Sequence, residues 1–515
     1  MSTITRFQDY VAAVAAGTPV LAYSEYERPT TMSTPSEVFN AMSRRGAHGA
    51  SLQALPVLSG TVPPEISGVL FRAGPGRLRN HGLDYDHLFD GDGFVQRFSF
   101  SRGTVQFRSS YVETPQFLRE ERAQRPLHRS FGTNLPGGLR QNAFRFNLKN
   151  AANTTPLLVN GDLLLLWEGG APHRIDPETL AYRGHWTADG PLRSRTLVER
   201  IMGNGRPFSA HPKHIPGMPE VFNFGLSPGL KQRLLLYRVN PDSGGVVVSE
   251  TVLPRLTFMH DCAVTASGTR VFFDVGVAFH LLPAFVGLIP PAASIREDPA
   301  ADTIVRIFDA EDTQRTVPGP GGYVFHIPNG YEADGGGATE IVVDACWLEE
   351  FPDTDDFYAM LNDQEPRTPL LPILTRHTID LTTSRVTSEA LSEYPLELPA
   401  INPAYQGYQH RYIWGIAEPP TRRTAATMHG IAKVDTETPS TRYQDYYPLI
   451  LGEPVFVSSG QAEDDGYLLL LAFDPRDSRG LLLILRADTL EETARLALPE
   501  PTPLGFHGLW VADMA

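Results

Sequence analysis

Four histidines constrain this chain more than any other feature. His211 lies in Ser-Ala-His-Pro-Lys, His260 in Phe-Met-His-Asp-Cys, His326 in Val-Phe-His-Ile-Pro-Asn-Gly-Tyr-Glu and His507 in Gly-Phe-His-Gly-Leu-Trp. Three of them follow an aromatic or apolar residue in a strand-like run, where a solvated imidazole is out of place. Imidazole is the commonest metal ligand. A single histidine in such a setting is most often a satisfied core residue. Four of them, in similar settings far apart in the chain, point to one central metal site rather than a local finger. The fold must therefore carry distant strands to a common point.

The rest of the chain supplies short strands in number. It has 45 glycines and 44 prolines in 515 residues, which suits many turns and argues against long helices. Phe94 to Phe100 alternates apolar and polar residues, turns at Ser101-Arg102-Gly103-Thr104 and resumes as Val105 to Arg108. Leu157 to Val159 and Leu163 to Trp167 flank Asn160-Gly161, a strong hairpin signal. A weak repeat of strand, acidic or amide turn, strand recurs at Asp176, Asn240, Asp380, Asp435 and Asp488. Asp and Asn at such turns bond their own backbone. The spacing is irregular but on the scale of a propeller blade, tens of residues. A β-propeller converges its innermost strands on an axis, which is what the four histidines require. An irregular pair of β-sandwiches with coincidental turns is the competing architecture.

Composition narrows the function. The net charge of −15 and the lack of a basic patch exclude nucleic acid as a partner. Two cysteines, Cys262 and Cys346, make no disulfide framework and fit a reducing compartment. Cys262 follows His260 by two positions, so a thiolate ligand is an option, although a buried inert thiol is the commoner state. The apolar stretch Tyr10 to Gly17 is interrupted upstream by Asp9 and preceded by only Arg6, a poor secretory signal. No apolar run reaches the roughly 18 residues that span a bilayer. We expect a cytoplasmic protein, with residues 1–54 a partly helical N-terminal extension and 55–515 the β domain.

Ligand type restricts the metal. Four imidazoles without a carboxylate leave a divalent ion its full charge. Zinc prefers a closed tetrahedral site, or three ligands and a water; octahedral iron(II) keeps two positions free. A metal-bound histidine needs its other ring nitrogen held by an acceptor, usually a carboxylate. Glu168, Glu397 and Glu453 stand in apolar, strand-like contexts, where an unpaired carboxylate is costly. They are the candidate acceptors.

On these residues the chain resembles the carotenoid cleavage oxygenases. Tyr85-Asp86-His87-Leu88-Phe89-Asp90-Gly91-Asp92-Gly93 is similar to that family's glycine-and-aspartate segment. Gly68 to Pro75 resembles its opening strand, with Ala73 for the usual Asn, and Asn329-Gly330-Tyr331-Glu332 fits with Gly330 for Ala. The resemblance covers roughly residues 55 to 515. It implies an all-β, seven-bladed β-propeller with loops and short helices capping the top face. It implies iron(II) on His211, His260, His326 and His507, with Glu168, Glu397 and Glu453 behind them. His87, His214 and His377 lie near motifs but not at ligand positions. The implied activity is oxidative cleavage of a conjugated C=C bond by dioxygen, giving two carbonyl products.

Substrate follows from three further positions. Trp167 matches a tryptophan of the apocarotenoid-cleaving members, where stilbene cleavers carry lysine. Thr154 matches a threonine that crowds one iron position, and Phe325 resembles a tunnel-lining aromatic. These favour an apocarotenoid or carotenoid over a stilbene or phenylpropenoid. Two other readings stand beside it: isomerisation of a retinoid ester, as in some relatives, and a propeller without chemistry that binds lipid or protein. Residues 275–291 are broken by Gly and Pro and rich in Leu and Phe; they are expected either to touch a membrane peripherally or to form a buried lid.

Overall fold

The central strands of the sheets bury both faces, and this organises the whole molecule. Leu468 and Leu470 point into one apolar cluster while Leu469 and Leu471 point into the next. Leu163 and Leu165 divide from Leu164 and Leu166 in the same way, as do Leu234 and Leu236 from Leu235 and Tyr237. Successive side chains alternate across a strand, so a continuous apolar run is what a strand sandwiched between two sheets needs. The computed structural model describes residues 35–43, 51–229, 231–298, 301–333, 339–362, 364, 371–420, 428–512 and 514. The stretch Tyr10 to Gly17 lies outside them.

Seven antiparallel sheets, here blades 1 to 7, follow one another along the chain. Blade 1 holds Gly68–Pro75, Gly93–Ser101 and Thr104–Tyr111. Blade 2 runs from Pro156–Val159 to Tyr182–His185, blade 3 from Lys213–His214 to Val246–Val252, and blade 4 from Ala263–Val264 to Gln314–Pro318. The long strand Arg385–Ala400 serves two blades. Up to Pro395 it pairs with Ile373–Asp380 as the outer strand of blade 5; from Leu396 it pairs with Tyr412–Ala417 as the inner strand of blade 6. Blade 7 is built on Gly466–Asp474 and Arg479–Arg486. Seven apolar clusters lie between consecutive blades, the last joining blade 7 to blade 1. The sheets therefore close into a seven-bladed β-propeller. Both ends of the chain seal it: Val57–Gly60 adds an outer strand to blade 7, and His507–Ala512 is the inner strand of blade 1.

The acidic turns occupy equivalent places. Asp176, Asn240, Asp380 and Asp435 each lie between the third and outer strands of a blade and accept backbone N–H groups two and three residues on. Asp488 holds the same place in blade 7 but accepts from the backbone N–H of Thr489 and from the Arg486 guanidinium instead. Asp309 fills the corresponding turn of blade 4, accepting from Glu311 and Thr313. The Asn160-Gly161 hairpin forms with positive φ at both residues, as a type I′ turn demands. Strand pairing begins at Gln53–Ala54, against Phe107 and Gln106, ahead of residue 55. Short helices, among them Pro35–Met42, Leu197–Met202, Leu281–Phe285 and Thr354–Leu361, interrupt the blade spacing and gather around one central cavity.

Candidate metal centre

The four histidines meet on the propeller axis. His211, His260 and His326 stand just before or within the interrupted inner strands of blades 3, 4 and 5, and His507 opens the inner strand of blade 1. His211, His260 and His326 are outside regular strand, contrary to the strand-like reading of the flanks of His260 and His326. The ring of His211 lies 4.5 Å from that of His260, 5.1 Å from His326 and 4.8 Å from His507, centroid to centroid. The donor atoms of His211, His260 and His326 lie within 4.8 Å of one another.

Three carboxylates sit behind the rings. Glu397 Oε2 is 2.5 Å from His326 Nδ1 and Glu453 Oε1 is 2.7 Å from His507 Nδ1. Glu168 Oε1 lies 2.6 Å from His260 Nδ1, close but poorly aligned for a hydrogen bond. Glu397 and Glu453 hold the Nδ1 protons of His326 and His507, which leaves the Nε2 lone pairs of those rings free. His211 Nε2 and His260 Nε2 are 2.9 Å apart. Two metal–nitrogen bonds of about 2.1 Å at a right angle put their nitrogens about 3.0 Å apart, against about 3.4 Å at a tetrahedral angle. The separation of this one pair lets both nitrogens bind a single divalent ion. Cys262 is buried in the core between blades 3 and 4, its thiol pushed up to about 12 by burial, and is not part of the cluster.

Local backbone explains how each carboxylate is aimed. Glu397 precedes a bulge at which Leu398 adopts φ of 49° and donates its N–H back to Glu397 Oε2; bulges re-aim side chains beside functional sites. Glu453 Oε2 also accepts from Arg72 Nη1 at 2.6 Å and Gly508 N at 2.7 Å. Burial opposes its ionised form, but His507 and Arg72 outweigh that and hold its pKa below the ordinary carboxylate range. Glu168 is followed by Gly169, where a Cβ would stand 2.5 Å from the Trp167 ring. Burial, reinforced by the three neighbouring imidazoles, keeps His211 neutral far below the usual histidine range.

Sequence reasoning missed several residues that support the site. Arg72 is fully buried within an entirely buried strand, a setting in which a charge must have a partner. Asp261, next to His260, accepts from Ile327 N, next to His326, at 2.7 Å, and from Lys213 Nζ, two residues beyond His211, at 3.0 Å. Lys213 Nζ donates in addition to Ile327 O. This buried pair clasps three histidine-bearing segments together. The sequence signal was a charge within two residues of two of the histidines, Lys213 after His211 and Asp261 after His260.

His260, His326 and His507 open on a cavity of about 550 Å³ that Trp167, Phe325 and Thr154 line together with Glu168 and Glu397. Phe325 packs edge-on against His260 at 5.3 Å. Thr154 donates its hydroxyl to Asn153. No lysine or arginine lines the cavity among the described residues. His87 and His377, which have no place in the cluster, are buried elsewhere in neutral form, pushed down to about 3 and about 4 by burial.

The chain is similar to known proteins over most of its length. The family model described as Retinal pigment epithelial membrane protein matches residues 47–512. The apocarotenoid-15,15'-oxygenase of Synechocystis sp. is 32% identical over 473 residues, covering 88% of this chain and 92% of that enzyme. Resveratrol cleavage oxygenase 1 of Aspergillus fumigatus is 27% identical, over 88% of this chain and 91% of its own length. A cobalt-substituted structure of the Synechocystis enzyme superposes with a TM-score of 0.83 at 29% identity, over 93% of this chain and 99% of that one. Variants of that enzyme altered at a threonine, a tryptophan and a glutamate have also been solved, and their spacing equals that of Thr154, Trp167 and Glu168.

Proposed function

The chain belongs to the carotenoid cleavage oxygenase family, and from that premise we propose that it is an iron(II) dioxygenase splitting a conjugated C=C bond of an apocarotenoid or carotenoid. The observation that carries this reading is the convergence of four imidazole nitrogens, three of them backed by carboxylates, on an apolar cavity. His211, His260, His326 and His507 would hold the metal, and Glu168, Glu397 and Glu453 would fix the ring tautomers. Iron(II), when bound, supplies the redox chemistry that lets dioxygen react with the alkene. The balance is one alkene and one O2 in, two C=O products out, so no proton has to be moved. The protein's part is orientation and exclusion of water. Trp167 and Phe325 offer aromatic faces to a polyene, and Thr154 narrows the space beside the histidines.

The lining favours a polyene over a hydroxystilbene. A hydrogen bond to a charged group contributes on the order of 1.5–3 kcal/mol, and the wall offers a phenolic oxygen no ammonium or guanidinium among the described residues. With both substrates in one vessel, an apocarotenal should be consumed at least roughly tenfold faster than resveratrol. Preferential loss of the stilbene would reverse the assignment. Anaerobic loading with iron(II), followed by mass spectrometry of products, tests the chemistry itself; His326→Ala should lose both bound iron and turnover.

Substrate delivery is part of the same reading. In the segment 275–291, Leu282 is 73% exposed, Leu288 62% and Phe285 43%, and Phe144 beside them is 70% exposed. Phe279 and Leu281 of that segment line the cavity. Buried Arg129 ties the patch together, donating to the carbonyls of Asn142, Ala284 and Ile289. An exposed apolar face at a cavity mouth suits a cytoplasmic protein that rests on a bilayer and draws lipid-dissolved substrate from it. No helix among the described residues is long and apolar enough to cross a membrane.

A further inference from the structure

The helix Pro35–Met42 precedes the stretch matched by the family model, which begins at residue 47, yet it forms part of the cavity wall. Val38, Ala41 and Met42 make one apolar stripe at helical spacing and pack on Ile450 and Phe473 of blade 7. The helix also lies against Thr354–Leu361. Phe39 stands beside the stripe, half-buried, and lines the cavity with Met42.

Many connections line the cavity. Met202, Gln232, Thr257 and Leu281 belong to the connections of blades 2 to 4, the last of them in the segment that carries the exposed apolar patch. Met428, Ile450 and Leu504 come from blade 6, blade 7 and the link from blade 7 to blade 1, and Ile450 and Leu504 pack against the N-terminal helix. His260, His326 and His507 line the same cavity. A linear substrate that enters at the patch, places one double bond at the histidines and runs on toward blade 7 would meet Phe39 and Met42 with its leading arm.

We propose that the N-terminal helix is the end wall of the substrate cavity, and that Phe39, with Met42, sets the longest polyene arm that fits beyond the cleaved bond. Chain-length specificity is then decided by a helix outside the span that the family model matches. The physical basis is close packing: an aromatic ring in a packed wall does not yield, so each additional carbon unit has to displace it. This inference rests on the alkene-cleaving reading above.

The test uses the full-length, iron-loaded protein and a series of apocarotenals that differ in the length of one arm. Phe39→Ala should raise the kcat/KM ratio of long over short substrates by roughly tenfold, the scale of one or a few methylenes in a pocket. Phe39→Trp should lower the same ratio. A purely structural role for the helix would depress all substrates alike and in both variants. Binding of the same series to metal-free protein, followed by quenching of tryptophan fluorescence, gives a ratio of Kd values that does not depend on turnover. If no member of the series is cleaved by the unaltered protein, the function assignment fails, while the Kd ratios still decide the wall. Ratios that are unchanged, or that move in the same direction in both variants, overturn the proposal.

Discussion

Replacing Glu397 by Gln and Glu453 by Gln are the same chemical change, and the structure says they should have different consequences. An amide offers one accepting and one donating end. Glu397 Oε2 serves both His326 Nδ1 and Leu398 N. A glutamine carbonyl placed there can accept both, with its NH2 turned toward the cavity. The fold keeps its hydrogen bonds and only the charge behind His326 is lost. Metal affinity should then fall by roughly 10- to 100-fold, about 1.4–2.7 kcal/mol, with little change in the metal-free melting temperature. Glu453 has donors at both ends: His507 Nδ1 at Oε1, and Arg72 and Gly508 at Oε2. Any glutamine orientation points NH2 at a donor and removes the anion from fully buried Arg72. Breaking one side of a buried ion pair costs about 3–5 kcal/mol. With an unfolding entropy of about 2.1 cal/mol/K per residue, a chain this long loses about 1 °C per kcal/mol, so the metal-stripped E453Q protein should melt about 3–5 °C low. Scanning fluorimetry on stripped proteins and metal titration against a competing chelator read the two effects separately. Equal melting temperatures for the two stripped variants would refute this account of Glu453.

Lys213→Met should loosen the clasp on three histidine segments, lowering metal affinity by about tenfold on the scale of such supporting contacts; partial recovery in Lys213→Arg, measured by the same titration, would show that the charge matters. Replacing Leu282 and Phe285 together by Ser should weaken co-sedimentation with lipid vesicles and slow turnover of vesicle-borne substrate; unchanged sedimentation would make the segment a lid alone. The acid side of the stability profile should be steep. His87 is pushed down to about 3 by burial in the fold but ionises near 6.5 when unfolded, so the unfolded state binds more protons below pH 6.5. Stability contributed by its neutral form is present above that pH and is lost as pH falls toward 3, at about 1.4 kcal/mol per pH unit. His87→Asn, which keeps an acceptor for Phe89 N, should flatten the slope between pH 6.5 and 5 in urea titrations, and an unchanged slope would contradict the burial argument.

What the sequence made legible was whatever depends on local chemistry. The acidic turns declared themselves because Asp and Asn bond backbone two and three residues on, without help from the rest of the fold. The Asn160-Gly161 hairpin did so because only a few residues accept positive φ. The histidines and glutamates stood out because polar groups in apolar runs need partners. Non-local pairings were not legible. Nothing in Gly68 to Pro75 says that Arg72 meets Glu453 from blade 7, and nothing in Arg385–Ala400 says that one strand serves two blades. The wall made by Phe39 was equally hidden, because the helix acquires its role only from what it packs against.

The architecture also accounts for the charge of the site. Each of the seven blades delivers one polar residue toward the axis: histidines from blades 1, 3, 4 and 5, glutamates from blades 2, 6 and 7. Four donors and three carboxylates leave one histidine, His211, without an anionic partner in this set. Around the donors stand three carboxylates and one guanidinium, that of Arg72. Lys213 and Asp261 cancel as a pair. The balance is two negative charges, largely out of water, and uncompensated buried charge is expensive. A divalent cation held by four neutral imidazoles brings the assembly to zero. Had Arg72 been apolar, the same site would carry an excess negative charge with any divalent ion, and Glu453 would gain by taking up a proton and losing its hold on His507. On the proposed assignment Arg72 would therefore belong to the metal centre as much as the glutamates, although it touches no histidine donor: it would set the charge that the ion has to match.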